Sequence, residues 1–278
     1  MYKCGLIGRS ILASRSPWLH EQEGRAQGLD LTYELFDFTD RGWDDDELGP
    51  LLRRLAAEGY RGVNVTFPFK QAVIPLLDEL DESAAAVGAV NTVQMRGGKL
   101  TGYNTDMAGF REGLVAGLPL RKMDRVLLVG AGGAGAAVAN ALLTLGDGTL
   151  GIADRDPGRA SALVAQLSQR YGPDRVSAVT DADEALNAAD GIVNATPMGM
   201  ASKPGSPVDT GKLQPRQWVA DIVYFPLETE LLRGARDLGC PAVDGSGMVI
   251  GQAARAFEIF TGHAADIGRM RASFSAKT

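Results

Sequence analysis

Residues 126–135 read Val126-Leu-Leu-Val-Gly130-Ala-Gly132-Gly-Ala-Gly135, and this stretch decides the fold of the second half of the chain. A short apolar run leads into a glycine-rich turn, and the turn opens an alanine-rich segment. A second apolar run ends at Asp154, nineteen residues after the last glycine of the turn. A strand, a glycine turn, a helix and an acid in this order are typical of a dinucleotide-binding βαβ unit.

Each glycine of the turn has its own expected role. Gly130 allows the tight turn, Gly132 lets the backbone approach a pyrophosphate, and Gly135 permits close contact between helix and strand. The phosphates would lie at the positive N-terminus of the helix, on amides that have no intrahelical partner. The alternative interpretation is a glycine-rich turn between packed elements. The predicted cofactor contacts come from Gly130, Ala131, Gly132, Gly133, Ala134 and Gly135.

Composition narrows the class of protein. A chain of 278 residues can bury a large core, and two domains are expected. The net charge is −6, and the basic residues are scattered, which argues against a nucleic-acid partner. No apolar run approaches the ~20 residues that span a bilayer, so no membrane partner is expected.

The cysteines and histidines bear on the cellular compartment and on metal binding. Cys4 and Cys240 are too few for a disulfide framework, and we expect both to be small buried hydrophobes. The start of the chain shows no signal-peptide pattern, so we expect a cytoplasmic protein. The two histidines, His20 and His263, form no His-rich cluster, and no metal is expected.

Short strands and helices alternate through the first hundred residues, which predicts a mostly parallel sheet with crossover helices. A hairpin through Gly97-Gly98 is expected to join the last two strands, and Pro75 to kink or restart a helix. The predicted strands are Lys3–Ile7, Leu31–Phe36, Gly62–Val65, Ala89–Gln94 and Lys99–Tyr103. The predicted helices are His20–Gln27, Asp46–Glu58 and Phe69–Glu79.

A second α/β series starts near Val126. No further strand is predicted after the final helix, Val249–Thr261, so we expect this helix to cross back over the first domain. The predicted strands are Val126–Val129, Leu150–Ala153, Val176–Val179, Gly191–Asn194, Trp218–Val223 and Pro241–Asp244. The main predicted helices are Gly133–Leu145, Gly158–Tyr171 and Leu227–Gly239.

Three polar clusters lie where predicted strands end or loops begin, the usual place for ligands in open α/β sheets. Their hydroxyls, amides, ammonium and carboxylate would suit a small polyhydroxylated acid. Other readings are open: helix caps for the serines, turn formation for the asparagine and aspartate, and a solvated lysine. The clusters are Ser14-Arg-Ser-Pro17, Asn64-Val-Thr-Phe-Pro-Phe-Lys70, and Asn91-Thr92 with Asn104-Thr-Asp106.

These residues carry a resemblance to the shikimate/quinate dehydrogenase family along nearly the whole chain. Besides the three clusters and the glycine turn, the matching motifs are Gly88-Ala-Val-Asn-Thr92, Asn194-Ala-Thr-Pro-Met198, Asp221-Ile-Val-Tyr224 and Asp244-Gly-Ser-Gly-Met248 with Gln252. The resemblance implies an α/β fold with an N-terminal α/β substrate domain, a Rossmann dinucleotide-binding domain, and C-terminal helices returning to the first domain. We place the boundaries at 1–106, 107–244 and 245–278.

The resemblance also implies roles for the matching residues. Lys70 and Asp106 would be the catalytic pair beside the reacting hydroxyl, and Ser14 and Ser16 would hold the substrate carboxylate. The remaining implied substrate contacts are Thr66, Asn91, Tyr224 and Gln252. Beyond the glycine turn, the implied cofactor contacts are Asp154, Arg155, Thr196, Val223, Gly245 and Met248.

The implied reaction is reversible hydride transfer from an alcohol carbon to a nicotinamide while a base removes the hydroxyl proton. A lysine with an ordinary pKa of about 10.4 needs desolvation or coupling to act as a base near neutrality. A neighbouring carboxylate favours the ammonium instead. We therefore expect Lys70 and Asp106 to titrate as a couple.

The sequence Asp154-Arg155-Asp156 predicts the cofactor. A carboxylate that ends the second strand accepts hydrogen bonds from ribose hydroxyls and repels a 2′-phosphate, so NAD is expected over NADP. The NADP-using branch of the family commonly has an Asn-Arg-Thr/Ser pattern here, from which this chain departs. Arg155 can still pair with a phosphate, so some NADP use is compatible with the sequence.

The expected substrate is a cyclic hydroxy acid: shikimate, with quinate as a second candidate. The residues near Phe260 and Arg269–Arg271 resemble quinate-oxidising members, whereas Ser16 replaces the threonine that quinate users often carry. The alternatives are an NADP-using biosynthetic shikimate dehydrogenase, an aminoshikimate dehydrogenase, a folate-metabolising dehydrogenase and a non-catalytic dinucleotide sensor. A monomer and a homodimer are both compatible with the sequence.

Overall fold

The computed structural model describes residues 1–118 and 122–276. These residues form two compact units: a first unit of Met1–Thr105 with the segment from Ile250 onward, and a second unit of Asp106–Val249. Three segments of chain therefore build two bodies, because the C-terminal segment belongs to the first. The boundaries of 1–106, 107–244 and 245–278 inferred from sequence stay a prediction.

The first unit is built on a mixed six-stranded sheet. Its strands are β1 Tyr2–Gly8, β2 Leu31–Asp37, β3 Tyr60–Val65, β4 Glu79–Leu80, β5 Thr92–Arg96 and β6 Lys99–Tyr103. They lie in the order β2-β1-β3-β5-β6-β4, with β1 parallel to β2 and β3 and with β5 antiparallel to β3 and β6. The predicted hairpin is confirmed: Gly97 and Gly98 have φ of 60° and 79°, which a two-residue turn of this kind requires.

Short helices connect these strands: α1 Ser16–Ala26, α2 Leu48–Ala57, α3 Phe69–Ala72 and α4 Glu82–Val87. The helix predicted over Phe69–Glu79 is shorter than expected. It ends at Ala72 and a 3₁₀ turn, Ile74–Leu76, follows, because Pro75 has no N–H to continue the α-helical ladder. The strand predicted at Ala89–Gln94 begins at Thr92.

The second unit is an open parallel sheet with helices between its strands. Its strands are β7 Arg125–Val129, β8 Thr149–Ala153, β9 Val176–Ala178, β10 Gly191–Asn194, β11 Trp218–Asp221 and β12 Ala242–Val243. Its helices are α5 Asp106–Gly117, α6 Gly133–Thr144, α7 Pro157–Tyr171, α8 Ala182–Ala188 and α9 Glu230–Asp237. The order is β12-β11-β10-β7-β8-β9, and each neighbouring pair is parallel.

Counted from the first strand of this sheet, that order is 3-2-1-4-5-6, the doubly wound arrangement of a dinucleotide-binding Rossmann fold. The predicted fold class is thereby confirmed. The cores of both units consist of buried aliphatic and aromatic side chains, and Cys4 and Cys240 are buried among them as predicted.

Two C-terminal helices, α10 Ser246–Thr261 and α11 Ile267–Ala276, complete the chain. On α10, Ala256 and Phe260 pack in a core cluster of the first unit with Cys4 and Tyr33. The predicted return of the C-terminal helices to the first domain is confirmed, and α11 is an additional helix with no predicted bounds.

An ion pair between the buried Glu23 carboxylate and the exposed Arg269 guanidinium attaches α11 to α1. Arg269 donates to both carboxylate oxygens of Glu23, at 2.8 and 2.6 Å, and Trp18 Nε1 donates to the Ser273 carbonyl at 3.0 Å. Burial raises the pKa of Glu23, but hydrogen bonds from Arg269, Asp266 and Gln27 outweigh it and lower the pKa. The ionised carboxylate is therefore the form that holds the last helix.

Candidate cofactor and substrate sites

The glycine turn of the second unit has the geometry that its sequence predicts. Gly130 has φ of 110°, and a Cβ there would lie 2.8 Å from the Ala195 backbone. A Cβ on Gly135 would lie 2.0 Å from the Gly130 carbonyl oxygen. A Cβ on Gly132 would instead meet no atom within 4 Å, so this is where a ligand can approach the backbone.

This turn lies at the point where the strand order reverses. The chain leaves β7 towards β8 on one side and leaves β10 towards β11 on the other. The loops after β7 and β10 are in contact, since a Cβ on Gly130 would lie 3.0 Å from Thr196 Cγ2. Helix α6 begins at Gly133 and presents its first amides here. An exposed glycine, a helix N-terminus and a switch point fit a dinucleotide pyrophosphate.

Asp154 follows β8 and lies beside the turn. Its Oδ2 accepts a hydrogen bond from Ala131 N at 2.7 Å, and its Oδ1 accepts from Asp156 N at 2.9 Å. Arg155 is exposed, and the Asp156 carboxylate caps α7 by accepting from Gly158 N at 2.9 Å. The half-buried Asp154 carboxylate is thus held by backbone amides where an adenosine ribose would approach.

A buried hydrogen-bond network connects the loops that follow β10, β11 and β12. These three loops together are called the wall below. Asn194 Oδ1 accepts from Thr196 N at 2.9 Å and from Thr196 Oγ1 at 2.7 Å. Asn194 Nδ2 donates to Asp221 Oδ1 at 2.9 Å, and Val223 N donates to the same oxygen at 2.9 Å. The Val223 carbonyl in turn accepts from Gly245 N at 3.2 Å. Three predicted cofactor residues are connected through two side chains that were assigned no role from sequence.

Asp221 is the most buried charged group of this wall, with 2% of its surface exposed. Burial raises its pKa to about 6, and the charge of Asp244 acts in the same direction. Hydrogen bonds from Val223 N, Thr229 and Asn194 act in the opposite direction. Gly245 and Met248 line a small cavity next to this carboxyl group.

In the first unit a chain of hydrogen bonds starts at the predicted carboxylate-binding serines. Ser14 Oγ donates to Ser16 Oγ at 3.2 Å, and Ser16 hydrogen-bonds the Tyr33 phenol. Tyr33 donates to Asn64 Oδ1 at 2.7 Å, and Asn64 Nδ2 donates to Thr92 Oγ1 at 2.9 Å. Both serines are half-buried.

The same chain continues to two further predicted substrate residues. Thr92 Oγ1 donates to Asn91 Oδ1 at 3.0 Å, and Asn91 Nδ2 donates to Gln252 Oε1 at 3.2 Å. Thr105 N donates to Asn91 Oδ1 at 2.8 Å. The structure therefore connects Ser14, Ser16, Asn91 and Gln252 within one unit, although they are far apart in sequence.

The other predicted residues lie at element ends. Lys70 is the second residue of α3 and is half-buried, and Thr66 lies between β3 and this helix. Asp106 is the first residue of α5, is 2% exposed and directly follows Thr105 in the chain. Tyr224 follows β11 and is 40% exposed.

Tyr33, Asn194 and Asp221 join the networks although they lay outside the three polar clusters and were assigned no role from sequence. Asn194 and Asp221 each end an apolar strand, and a polar residue at the end of a buried strand is a signal that could have revealed them. Tyr33 carries no such signal, because it reads as an ordinary core residue of β2. His20 stacks on its ring at a centroid distance of 4.6 Å, and burial lowers the pKa of this histidine to about 3.

Among the residues that the structure describes, no group of His, Cys, Asp and Glu side chains is arranged to hold a metal ion. Within the same ranges, no helix has the length and apolar character needed to cross a membrane.

Comparison with known protein families identifies this architecture. The model described as shikimate dehydrogenase substrate binding domain matches residues 6–93. The model described as shikimate / quinate 5-dehydrogenase matches residues 117–202, and that of the shikimate 5'-dehydrogenase C-terminal domain matches residues 245–273.

Individual relatives match over nearly the whole chain. A quinate/shikimate dehydrogenase (NAD(+)) of Corynebacterium efficiens is 49% identical, covering 97% of this chain and 96% of the relative. A shikimate dehydrogenase (NADP(+)) of Pseudarthrobacter chlorophenolicus is 47% identical, covering 98% and 94%. The structure of quinate dehydrogenase from Corynebacterium glutamicum in complex with NAD is 46% identical, covers 99% of both chains and has a TM-score of 0.93. The chain is therefore an oxidoreductase and belongs to the shikimate/quinate dehydrogenase family.

Proposed function

We propose that this protein catalyses the reversible, NAD-dependent oxidation of shikimate, and of quinate as a second substrate, to the 3-dehydro ketone. The observation that carries the proposal is the hydrogen-bond chain from Ser14 and Ser16 to Asn91 and Gln252. Hydroxyl donors at one end and amides at the other suit an acid that carries ring hydroxyls. The relatives named for quinate or shikimate dehydrogenation support the same substrate class.

The proposed roles follow from the chemistry of each group. Ser14 and Ser16 donate to the substrate carboxylate. Thr66, Asn91 and Gln252 contact the ring hydroxyls, with Tyr224 close to the substrate. The dinucleotide would be held by residues 130–135, Asp154 and Arg155, and by Thr196, Val223, Gly245 and Met248.

Lys70 and Asp106 handle the proton in this mechanism. When bound, a nicotinamide dinucleotide would supply the acceptor for the hydride of the alcohol carbon. Lys70 accepts the hydroxyl proton in oxidation and returns it in reduction, and the Asp106 carboxylate holds and orients the group that carries it.

The preference for NAD rests on Asp154. Its carboxylate is fixed by amides of the glycine turn and of its own loop, so it does not turn away from a 2′-phosphate easily. Repulsion between like charges at contact is worth roughly 1–4 kcal/mol, which corresponds to a preference for NAD of about tenfold to several hundredfold. The exposed Arg155 supports a residual use of NADP, and relatives are named for both cofactors.

The decisive experiment replaces Lys70. We expect Lys70→Ala to lower kcat for shikimate oxidation by about 100-fold or more, the range typical of acid–base groups. The matched control is Lys99→Ala, which removes an exposed lysine paired with Glu79 in the same unit and should leave kcat within about twofold. Turnover of Lys70→Ala within severalfold of the wild type would refute the proposed mechanism.

Assays of shikimate and quinate with each cofactor test the rest of the proposal. We expect shikimate with NAD to give the highest kcat/KM. Tight NAD binding without turnover of either acid would point to a dinucleotide-sensing protein instead.

A further inference from the structure

The residues proposed to hold the cofactor lie on separate loops, and one buried side chain connects two of these loops. Thr196 follows β10, Val223 follows β11, and Gly245 follows β12. Loops are the more mobile parts of a fold, so a wall made from three of them needs a common support. Asp221, the last residue of β11, lies where that support is required.

Its two carboxylate oxygens have separate partners. Oδ1 accepts from Val223 N and from Asn194 Nδ2, both at 2.9 Å. Oδ2 accepts from Thr229 Oγ1 at 2.8 Å, which ties the start of α9 to the same point. A single side chain thus contacts the loop of Val223 directly and the loop of Thr196 through Asn194.

The hydrogen bonds of Asn194 make this connection rigid. Its Oδ1 is occupied by the amide and hydroxyl of Thr196, and its Nδ2 also donates to the Met198 carbonyl at 2.9 Å. Because Met198 N donates to Thr196 Oγ1 at 3.1 Å, the Thr196 hydroxyl has a fixed direction. The Asp221 carboxyl group is therefore joined to Thr196 by consecutive hydrogen bonds through Asn194.

We propose that Asp221 is a positioning residue for the nicotinamide dinucleotide, which it does not touch, because it sets the relative places of the Thr196 and Val223 loops. The inference rests on the cofactor site given under Proposed function. Removing the carboxyl group would leave Val223 N without its acceptor, and Asn194 Nδ2 would keep only its bond to the Met198 carbonyl, so the two loops would lose their connection. An amide of the same shape keeps an oxygen for both donors and should preserve the wall.

The test is direct titration of the folded protein with NAD and with NADH. We expect Asp221→Ala to raise the dissociation constant of both by about tenfold or more, equivalent to the loss of one good interaction. Asp221→Asn should restore binding to within about threefold of the wild type, because it keeps the shared acceptor. The KM for NAD should rise in Asp221→Ala while the KM for shikimate stays nearly constant.

Asp190 offers a matched control in the same sheet. It precedes β10 at the opposite end of the strands, where its Oδ2 accepts from Arg125 N at 3.0 Å. Asp190→Ala should lower the melting temperature but leave the dissociation constant of NAD within about twofold. It removes a similar buried acceptor at the end of the sheet opposite to the proposed cofactor site. If Asp190→Ala weakens NAD binding as much as Asp221→Ala does, the effect is general destabilisation and the proposal is wrong.

Two further variants keep the test decisive. If Asp221→Ala does not fold, Asp221→Glu keeps the charge but displaces it by one methylene. Weaker NAD binding by this variant supports the proposal, and NAD binding as tight as that of the wild type overturns it.

Gly132→Ala separates this inference from the proposed site, because the new methyl group meets no protein atom within 4 Å but occupies the approach to the turn. Unchanged NAD binding in Gly132→Ala refutes the site itself. Weakened binding there with normal binding in Asp221→Ala refutes only the positioning role.

Discussion

Asp37 in the first unit and Asp221 in the second are alike in position but opposite in electrostatics. Each ends a strand, β2 or β11, and each is 2% exposed. Burial by itself acts to raise the pKa of each carboxyl group, but the net shifts differ in direction. Around Asp37, four backbone amides outweigh burial and lower the pKa, whereas around Asp221 burial prevails and raises the pKa to about 6.

The difference comes from the donors and from the neighbouring charge. Asp37 accepts from the amides of Ser10, Ile11, Thr39 and Asp40, all of which favour its ionised form. Asp221 accepts from one amide and two neutral side chains, and Asp244 adds negative charge nearby. Burial of an aspartate at a strand end therefore does not predict the direction of its pKa.

Both carboxyl groups nevertheless do the same kind of structural work. Asp37 holds the start of the loop that leads to Ser14, where Ser10 has an unusual φ of 56° and Ser14 N donates to the Ile11 carbonyl. Asp221 holds the loops of Thr196 and Val223. Each unit thus uses one buried carboxyl group to shape the loops that bear its proposed ligand contacts.

The largest expected effect comes from truncating Asp37. Asp37→Ala leaves several amides without their acceptor, and we expect it to lower the free energy of unfolding by about 3 kcal/mol or more. Its functional signature should be the reverse of that of Asp221→Ala: a raised KM for shikimate with an unchanged dissociation constant for NAD. Urea denaturation, steady-state kinetics and NAD titration measure these three quantities. A raised NAD dissociation constant in Asp37→Ala would contradict the separation of the two roles.

A smaller effect is expected from the pH dependence of stability. The folded-state pKa of Asp221, about 6, lies above its ordinary value of 3.8. The stability that this carboxyl group contributes is therefore present at acid pH and is lost as the pH rises through 6. Relative to Asp221→Asn, which does not titrate, the wild type should lose on the order of 3 kcal/mol between pH 4 and 7.

Asp37 should show the opposite trend. Its pKa is lowered in the folded state, so its contribution is present above the ordinary pKa and is lost as the pH falls through the lowered value. Relative to Asp37→Asn, the wild type should gain stability as the pH rises from below this lowered pKa to above the ordinary value of 3.8. Denaturation curves of both variants over the same pH series measure the two trends, and slopes of equal sign would show that the contrast is wrong.

The smallest effect concerns a third strand-end aspartate, Asp154. It is half-buried and accepts from two amides, of Ala131 and Asp156, so its removal should cost little stability. Asp154→Asn removes the charge and keeps the shape, and we expect the ratio of kcat/KM for NAD over NADP to fall by about tenfold. An unchanged ratio would refute the role of this carboxylate in choosing the cofactor.

Much of the fold could be predicted from local patterns. The strand–turn–helix unit around Gly130, the hairpin at Gly97-Gly98 and the interruption at Pro75 each depend on the conformational limits of one or two residues. The ends of helices and strands were predicted less accurately than their presence. The C-terminal docking of α11 was missed in detail, because it depends on Glu23 and Arg269, which are 246 residues apart.

The candidate site divides in the same way. Residues that belong to compact motifs, such as Ser14 with Ser16 and Asn91 with Thr92, could be selected from sequence. The residues that connect those motifs could not. Tyr33 on β2 reaches across β1 to Asn64 on β3. This contact depends on the strand order β2-β1-β3, which cannot be read from the order of the strands in the sequence.

By itself, the sequence determined the conformation of the glycine turn and the presence of an acid after the next strand, because steric limits on Gly130 and Gly135 act over a few residues. Tertiary structure alone decided which strand-end side chains meet. Asn194 and Asp221 are separated by 27 residues and come within hydrogen-bond distance because β10 and β11 are parallel neighbours. The strand order, which results from packing the whole sheet, converts separate polar residues into one connected wall.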